Sequence, residues 1–387
     1  MNRKTDLIII GGGVLGTFHA YHAMQMGLSV RLIEKDNKPM GATVRNFGQV
    51  VPSGLDSKWQ QYGLDSLRTY LSLQKELNLT LRQEGTVYIA SNGEELALIE
   101  ELHKINKEND YESLLLTKDE CIEKFHGIKS SYCKGGLYFP EEVTIDSNQM
   151  IHRLQEYLVK KYQLIYNINT TVSNCETNSG SVVVSTTSGQ QFYASKAIIC
   201  NGSDFKILYP DVFFKSNIEV TKLQIMQTVK QKNYRLRGNV LTGLSIRRYE
   251  SFSECPSYAK IKVNEDVNSL DKRWGIHIIF KQALDGTMYL GDSHMYADAK
   301  NCDDLGYEIE MPIDNYIIQE AKKIVNLPSW EIQNRWYGVY AQCKDKDIFD
   351  HSIDENIHIV TAIGGKGMTG SGGYAKEKIQ QIFNLKK

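Results

Sequence analysis

Leu7 to Ile10 form an apolar run with no polar break, three of the four being isoleucine. Such a run suits a strand covered on both faces. The period then changes. Leu15, Phe18, Ala20, Met24 and Met26 predict a helix ended by Gly27, and "SVRLIEK" predicts a second strand with Glu34 at its C-terminal end. Between 163 and 203, "NINTTVSNCE", "SVVVSTTS" and "QQFYASKAIICNGS" read as successive strands, with Gly180 and Gly189 at turns. Residues 220–230, 258–264, 274–281 and 286–293 are also strand-like. Apolar residues at helical spacing predict helices over 56–79, 94–107 and 312–325. Near the C-terminus, Ile357 to Ala362 reads as a strand, Gly364 to Gly373 as a glycine-rich loop and Tyr374 onward as a helix. No repeat, low-complexity tract or long linker interrupts this order. The alternation of strands and helices predicts an α/β fold.

Composition narrows the picture only slightly. At 387 residues the chain is long enough for two domains. A formal net charge of −1 supplies no basic field for nucleic acid. The seven cysteines are odd in number and form no C-x-x-C pair, so reduced thiols are expected, with no metal site. Arg3 and Lys4 precede an apolar run too short for a leader, and no run approaches a membrane span. A cytoplasmic protein without a membrane span is the expectation.

The chemistry begins at the first turn. Gly11, Gly13 and Gly16 have G-x-G-x-x-G spacing between the first strand and its helix, which opens at Val14 and Leu15. Gly11 permits the tight turn, Gly13 lets main chain approach a pyrophosphate, and Gly16 lets helix and strand pack closely. The helix N-terminus offers N–H groups and positive potential to phosphates. Glu34, followed by Lys35, can accept both ribose hydroxyls of an adenosine. Dinucleotide binding follows, but this motif does not choose between FAD and NAD.

Later segments choose. "KAIICNG" ends in Asn201-Gly202, like the returning strand that passes beside the flavin in two-dinucleotide-fold flavoproteins. In such proteins the strand at Thr171-Val172 offers backbone groups to the adenine. Gly365, Gly367, Gly370, Gly372 and Gly373, with Lys366, Met368 and Thr369 among them, let main chain approach a planar ligand, and the helix that follows adds positive potential for a reduced isoalloxazine. A P-loop reading of "GGKG" fails, because Gly367 stands where Ser or Thr is needed.

On "DLIIIGGGVLG…RLIEK", "GATVRNFGQV", "GGLYFPEEVTID", "KAIICNGS" and "IVTAIGGKGMTGSGG", the chain resembles the D-amino acid oxidase/sarcosine oxidase/glycine oxidase family of FAD-dependent oxidoreductases along its whole length. "VRNFGQV", "WGIH", "GDSHMY" and "RWYGVYA" are most similar to a bacterial subgroup associated with phosphonate catabolism. The resemblance implies a discontinuous FAD domain of the glutathione-reductase/PHBH-like type over 1–85, 145–215 and 335–387. It also implies an α+β, mostly antiparallel-sheet substrate domain over 86–144 and 216–334. The loop of Gly41, Ala42, Thr43, Arg45, Asn46, Phe47 and Gly48 then straps the FAD. Sarcosine oxidases tether FAD through a cysteine where Gly338 stands here, so non-covalent FAD is implied. Tyr289 takes the place of a lysine linked to oxygen reduction, which leaves the electron acceptor as O2 or another molecule.

Flavin amine oxidation needs a group to hold the substrate's anionic end, and arginine matches carboxylate or phosphonate. Arg45, Arg247, Arg248 and Arg335 are the candidates, with Tyr249, His277, His294 and Tyr340 as hydrogen-bonding partners. Trp274 is a candidate wall, and Lys366 a candidate for flavin or substrate. Arg247 and Arg248 follow a strand and project oppositely, so at most one faces inward. The implied substrate is a small anionic amine. Oxidation of a 2-hydroxy acid stays open, with His277 or His294 as base, as does a flavin-binding protein without catalysis. Oligomeric state is open.

Overall fold

The computed structural model describes residues 4–385. Its first sheet has eight strands. Thr5–Ile10 lies between Val30–Ile33 and Gln191–Ile199, parallel to both. Ile165–Asn167 and Ile357–Thr361 extend the parallel part on the two sides. Ser181–Thr186 and Val172–Asn178 continue antiparallel from Gln191–Ile199.

One face of this sheet carries the helices Val14–Gln25, Ser57–Glu76, Ser147–Tyr162 and Gly367–Ile382, packed through Phe18, Trp59, Tyr70, Leu154 and Ile379. Val14–Gln25 is buried from Val14 to Met24, which explains its apolar character all round. Each fully buried large side chain there contributes about 1.5–3 kcal/mol.

The second sheet has nine strands and is antiparallel except where Asn239–Leu241 runs parallel to Thr86–Ala90. Ile218–Thr228 is its spine. It pairs with Met288–Gly291 and Met295–Asp298 on one edge and with Ile332–Cys343 along the other. Ile332–Cys343 also bridges through Gln342 to Ile363, just after the strand Ile357–Thr361 of the first sheet.

Three local expectations are corrected. Residues 258–264 alternate like a strand but form the helix Tyr258–Val263. Tyr258 and Ile261, three apart, pack on Phe252 and its neighbours, while Val263 is 85% exposed, so the helical face decides. In 274–281 only the end is strand, Ile279–Gln282, and His277 precedes it; His294 likewise precedes Met295–Asp298. The glycine-rich loop and the helix start at Tyr374 are replaced by a helix that begins at Gly367. Its glycines serve helix packing. A Cβ at Gly373 would lie 2.3 Å from the Tyr62 carbonyl oxygen, and one at Gly370 3.0 Å from the Trp59 ring.

Candidate active site

A cavity of about 1240 Å³ lies along the C-terminal ends of the parallel strands and reaches into the antiparallel sheet. That exceeds the volume of pockets for single drug-sized ligands. Its wall includes Gly11, Gly13, Val14, Leu15, Gly16, Glu34, Lys35, Thr171, Val172, Asn201 and Gly202. Gly41, Ala42, Thr43, Arg45, Asn46, Phe47 and Gly48 continue it, as do Gly338, Gly365, Lys366, Gly367, Met368 and Thr369. All of these residues line one space, whereas Gly370, Gly372 and Gly373 lie outside it, against Trp59, Ser66 and Tyr62.

The first turn is tightly specified. Gly11 has φ +109, and a Cβ there would sit 2.1 Å from the Cys200 carbonyl oxygen. A Cβ at Gly16 would sit 2.1 Å from the Gly11 carbonyl oxygen. Only glycine permits both approaches. The helix behind the turn has no side-chain cap at Gly13; the Val14 N–H donates to Thr43 Oγ1 at 2.9 Å. Glu34 Oε2 accepts from the Gly12 N–H at 2.9 Å and Oε1 from the Asp36 N–H at 3.1 Å. Each carboxylate oxygen keeps a second lone pair for a hydroxyl.

The 41–48 loop braces itself. Asn46 Nδ2 donates to the Ala42 and Thr43 carbonyls, and its Oδ1 accepts from the Gly48 N–H at 2.7 Å. Asn46 therefore shapes the loop from its place on the cavity wall. Arg45 donates to the Tyr337 carbonyl at 3.3 Å, and Trp336 Nε1 donates to the Arg45 carbonyl at 3.2 Å.

At the antiparallel end the walls are Arg248, Tyr249, His277, Asp292, His294 and Tyr340. The helix Gly243–Ile246, not a strand, precedes the arginine pair, and it sends the two side chains apart. Arg247 pairs with Glu94 at 2.8 Å and Glu95 at 2.9 Å, outside the cavity. Arg248 lines the cavity; its guanidinium donates to the Gly275 carbonyl at 3.3 Å and the Tyr296 hydroxyl at 3.0 Å. Among the described residues it has no carboxylate within ion-pair distance, unlike Arg247 and Arg335.

His294 Nδ1 lies 2.9 Å from the Gly275 carbonyl, which only accepts, so Nδ1 carries the hydrogen and Nε2 presents a lone pair. His277 Nε2 is 2.7 Å from Ser245 Oγ. Burial, then the Arg248 charge, hold both imidazoles well below the usual histidine range, so they are neutral at pH 7. Burial raises Asp292 to about 7 against the opposing pull of Arg248. Burial also raises the Tyr340 and Tyr249 hydroxyls, which stay protonated.

Two further candidates fall outside the cavity wall. Arg335 pairs with the buried Asp314 at 3.0 Å, and Trp274 packs edge-on against Tyr316. Neither is an anion clamp or a cavity wall. Lys366 lines the cavity but is ion-paired with Glu250 and Asp347. Asp292 escaped sequence reasoning: between Gly291 and Ser293 it reads as an ordinary turn acid, and only its burial marks it out.

A family model described as FAD dependent oxidoreductase matches residues 6–380. The chain belongs to this family. It is 30% identical to gamma-glutamylputrescine oxidoreductase of Escherichia coli (strain K12) over 111 residues, which is 25% of this chain. The match spans about a quarter, 26%, of that relative's length. Glycine oxidase from Geobacillus kaustophilus superposes with TM-score 0.79 at 15% identity, covering 100% of this chain and 96% of that one. L-proline dehydrogenase from P. horikoshii superposes with TM-score 0.80 at 16% identity, covering 100% and 95%. At these identities the likeness shows the fold.

The residues present fit FAD. A Cβ at Gly41 or Gly202 would meet nothing within 4 Å, so the main chain there is open to a ligand. Asn201 Oδ1 is buried without a hydrogen-bond partner beside that opening. The enzyme is thus an FAD-dependent oxidoreductase. No helix among the described residues is long and apolar enough to cross a membrane.

Proposed function

We propose that the enzyme oxidises the C–N bond of a small amine bearing an anionic group: an amino acid, an N-methyl amino acid, or an aminophosphonate such as N-methyl-2-aminoethylphosphonate. The observation that carries this reading is Arg248, a guanidinium on the cavity wall that has no carboxylate within ion-pair distance among the described residues. An unpaired arginine facing a cavity is a site for a carboxylate or phosphonate. The names of the glycine oxidase and L-proline dehydrogenase neighbours are those of amines bearing a carboxylate, which supports the same class.

In this reading Gly11 to Gly16 and Glu34 hold the ADP half of FAD, the 41–48 loop straps it, and Gly338 with Gly365 to Thr369 flank the flavin, without a covalent bond. Residues 1–85, 145–215 and 335–387 form the FAD domain, with 86–144 and 216–334 closing over it. Bound FAD supplies the acceptor for the two electrons leaving the substrate. Arg248 fixes the anionic end, Tyr249 and Tyr340 narrow the space beside it, and the imine product hydrolyses to a carbonyl compound and an amine or ammonia. The electron acceptor is O2 or another oxidant, and the compartment the cytoplasm.

A second reading, oxidation of a 2-hydroxy acid, draws on the unprotonated Nε2 of His294 as a base for a hydroxyl. Anaerobic bleaching of the flavin at 450 nm separates the two. N-Methyl-2-aminoethylphosphonate, sarcosine or a D-amino acid bleaches it in the first case. Bleaching by 2-hydroxy acids alone refutes it.

A further inference from the structure

Asp292 is a buried carboxylate on the cavity wall, and its Oδ1 has no hydrogen-bond partner. The nearest charged-capable groups are His277 Nδ1 at 3.6 Å and His294 Nδ1 at 3.8 Å, both too far for a hydrogen bond. Burying a carboxylate oxygen without a partner destabilises a fold, so one on a cavity wall points to a ligand. Arg248 acts on Asp292 electrostatically, yet no ion pair joins them among the described residues. One wall of the cavity thus offers a separated acid and base of opposite charge, as a zwitterion requires.

Resting on the amine reading, we propose that Asp292 takes the ammonium proton of the substrate whose anionic end Arg248 holds. The substrate arrives as an ammonium ion, whose nitrogen has no lone pair to form a C=N bond. An N–H proton passes to an Asp292 carboxylate oxygen, and nitrogen keeps the electron pair. That pair becomes the second C–N bond as the α C–H hydrogen leaves with its two electrons for the FAD acceptor. Asp292 then returns its proton to water.

The groups facing Asp292 leave it as the acceptor. His277 and His294 are neutral; His277 Nε2 is engaged with Ser245 and His294 Nδ1 with the Gly275 carbonyl, so the Nε2 lone pair of His294 is the competing base that Asp292→Asn leaves in place. Tyr249 and Tyr340 are protonated phenols, and Arg248 is a permanent cation. A carboxyl raised by burial to about 7 is better matched to this proton than an exposed aspartate.

The test uses the FAD-loaded enzyme, with N-methyl-2-aminoethylphosphonate and sarcosine as amines and methylphosphonate and acetate as amine-free counterparts. Anaerobic reduction is followed by stopped flow from pH 5.5 to 9, and binding by the flavin spectrum. In wild type, the reduction rate falls on the acid side of about pH 7. Asp292→Asn is expected to reduce at least 100-fold more slowly, to lose that acid limb, and to bind methylphosphonate or acetate at least as tightly as wild type. An unchanged rate and pH profile in Asp292→Asn overturns the proposal. So does an equal loss of methylphosphonate and amine binding, which marks a merely structural role. If no amine reduces wild type while a 2-hydroxy acid does, the amine reading fails first and this proposal with it; wild type alone reveals that outcome.

Discussion

Replacing Arg248 with Met keeps much of the side-chain bulk and removes the charge. Of the five guanidinium donors, the Gly275 carbonyl and the Tyr296 hydroxyl occupy two, leaving three for a ligand. A bidentate grip on carboxylate or phosphonate uses two of these. Each charge-assisted bond contributes about 1.5–3 kcal/mol, so the pair is worth about 3–6 kcal/mol, or roughly 10²–10⁴ in dissociation constant. The assay is a spectral titration of oxidised holoenzyme with methylphosphonate or acetate. Arg247→Met is the control, because its partners Glu94 and Glu95 lie outside the cavity. It is expected to lower thermal stability by about 1–3 kcal/mol and to leave the titration unchanged. Equal binding losses in the two variants, or none in Arg248→Met, refute the assignment of the clamp.

The remaining predictions concern cofactor, packing and pH. Glu34→Ala removes both anchors of the first turn and is expected to weaken FAD binding about 10- to 100-fold, about 1.4–2.7 kcal/mol, read from the fluorescence of released FAD. Gly373→Ala forces a methyl against the Tyr62 carbonyl and is expected to cost about 2 kcal/mol or more, whereas Gly41→Ala is tolerated by the fold; thermal unfolding of the apoprotein compares them. Glu142 is fully buried, and burial raises it to about 7 despite hydrogen bonds from the Ser53 N–H and the Tyr111 hydroxyl. A carboxyl raised in the folded state gives stability that is complete below its unfolded value of 4.5 and is lost as pH rises to about 7. Glu142→Gln keeps both accepted bonds and is expected to flatten the melting temperature over that interval; an unchanged slope contradicts the reasoning.

How far the sequence reaches depends on whether a residue's role is local. The Gly11–Gly16 turn and Glu34 were legible because their job is fixed by neighbours within one βαβ unit. Arg248 was legible only as one of two adjacent arginines, since the short helix that turns it inward has no strong pattern. Asp292 was invisible because its character comes from burial by distant segments. The C-terminal glycines misled for a related reason. Their low helix propensity is overridden by a partner helix, Ser57–Glu76, which leaves no room for side chains. Arg335 read as a clamp because nothing in sequence reveals Asp314 beneath it.

The two hydrogen bonds between Arg45 and the 336–337 main chain and side chain have a thermodynamic consequence. They fasten the strap around the cofactor region to the strand that carries Tyr340. A ligand that immobilises either side immobilises the other, so the entropy of ordering the junction is lost only once. Where a ligand at one end orders this junction, binding at the other is expected to be tighter, with the effect equal in both directions. An anion held at Arg248 is then expected to tighten flavin binding by the same factor by which flavin tightens the hold on the anion.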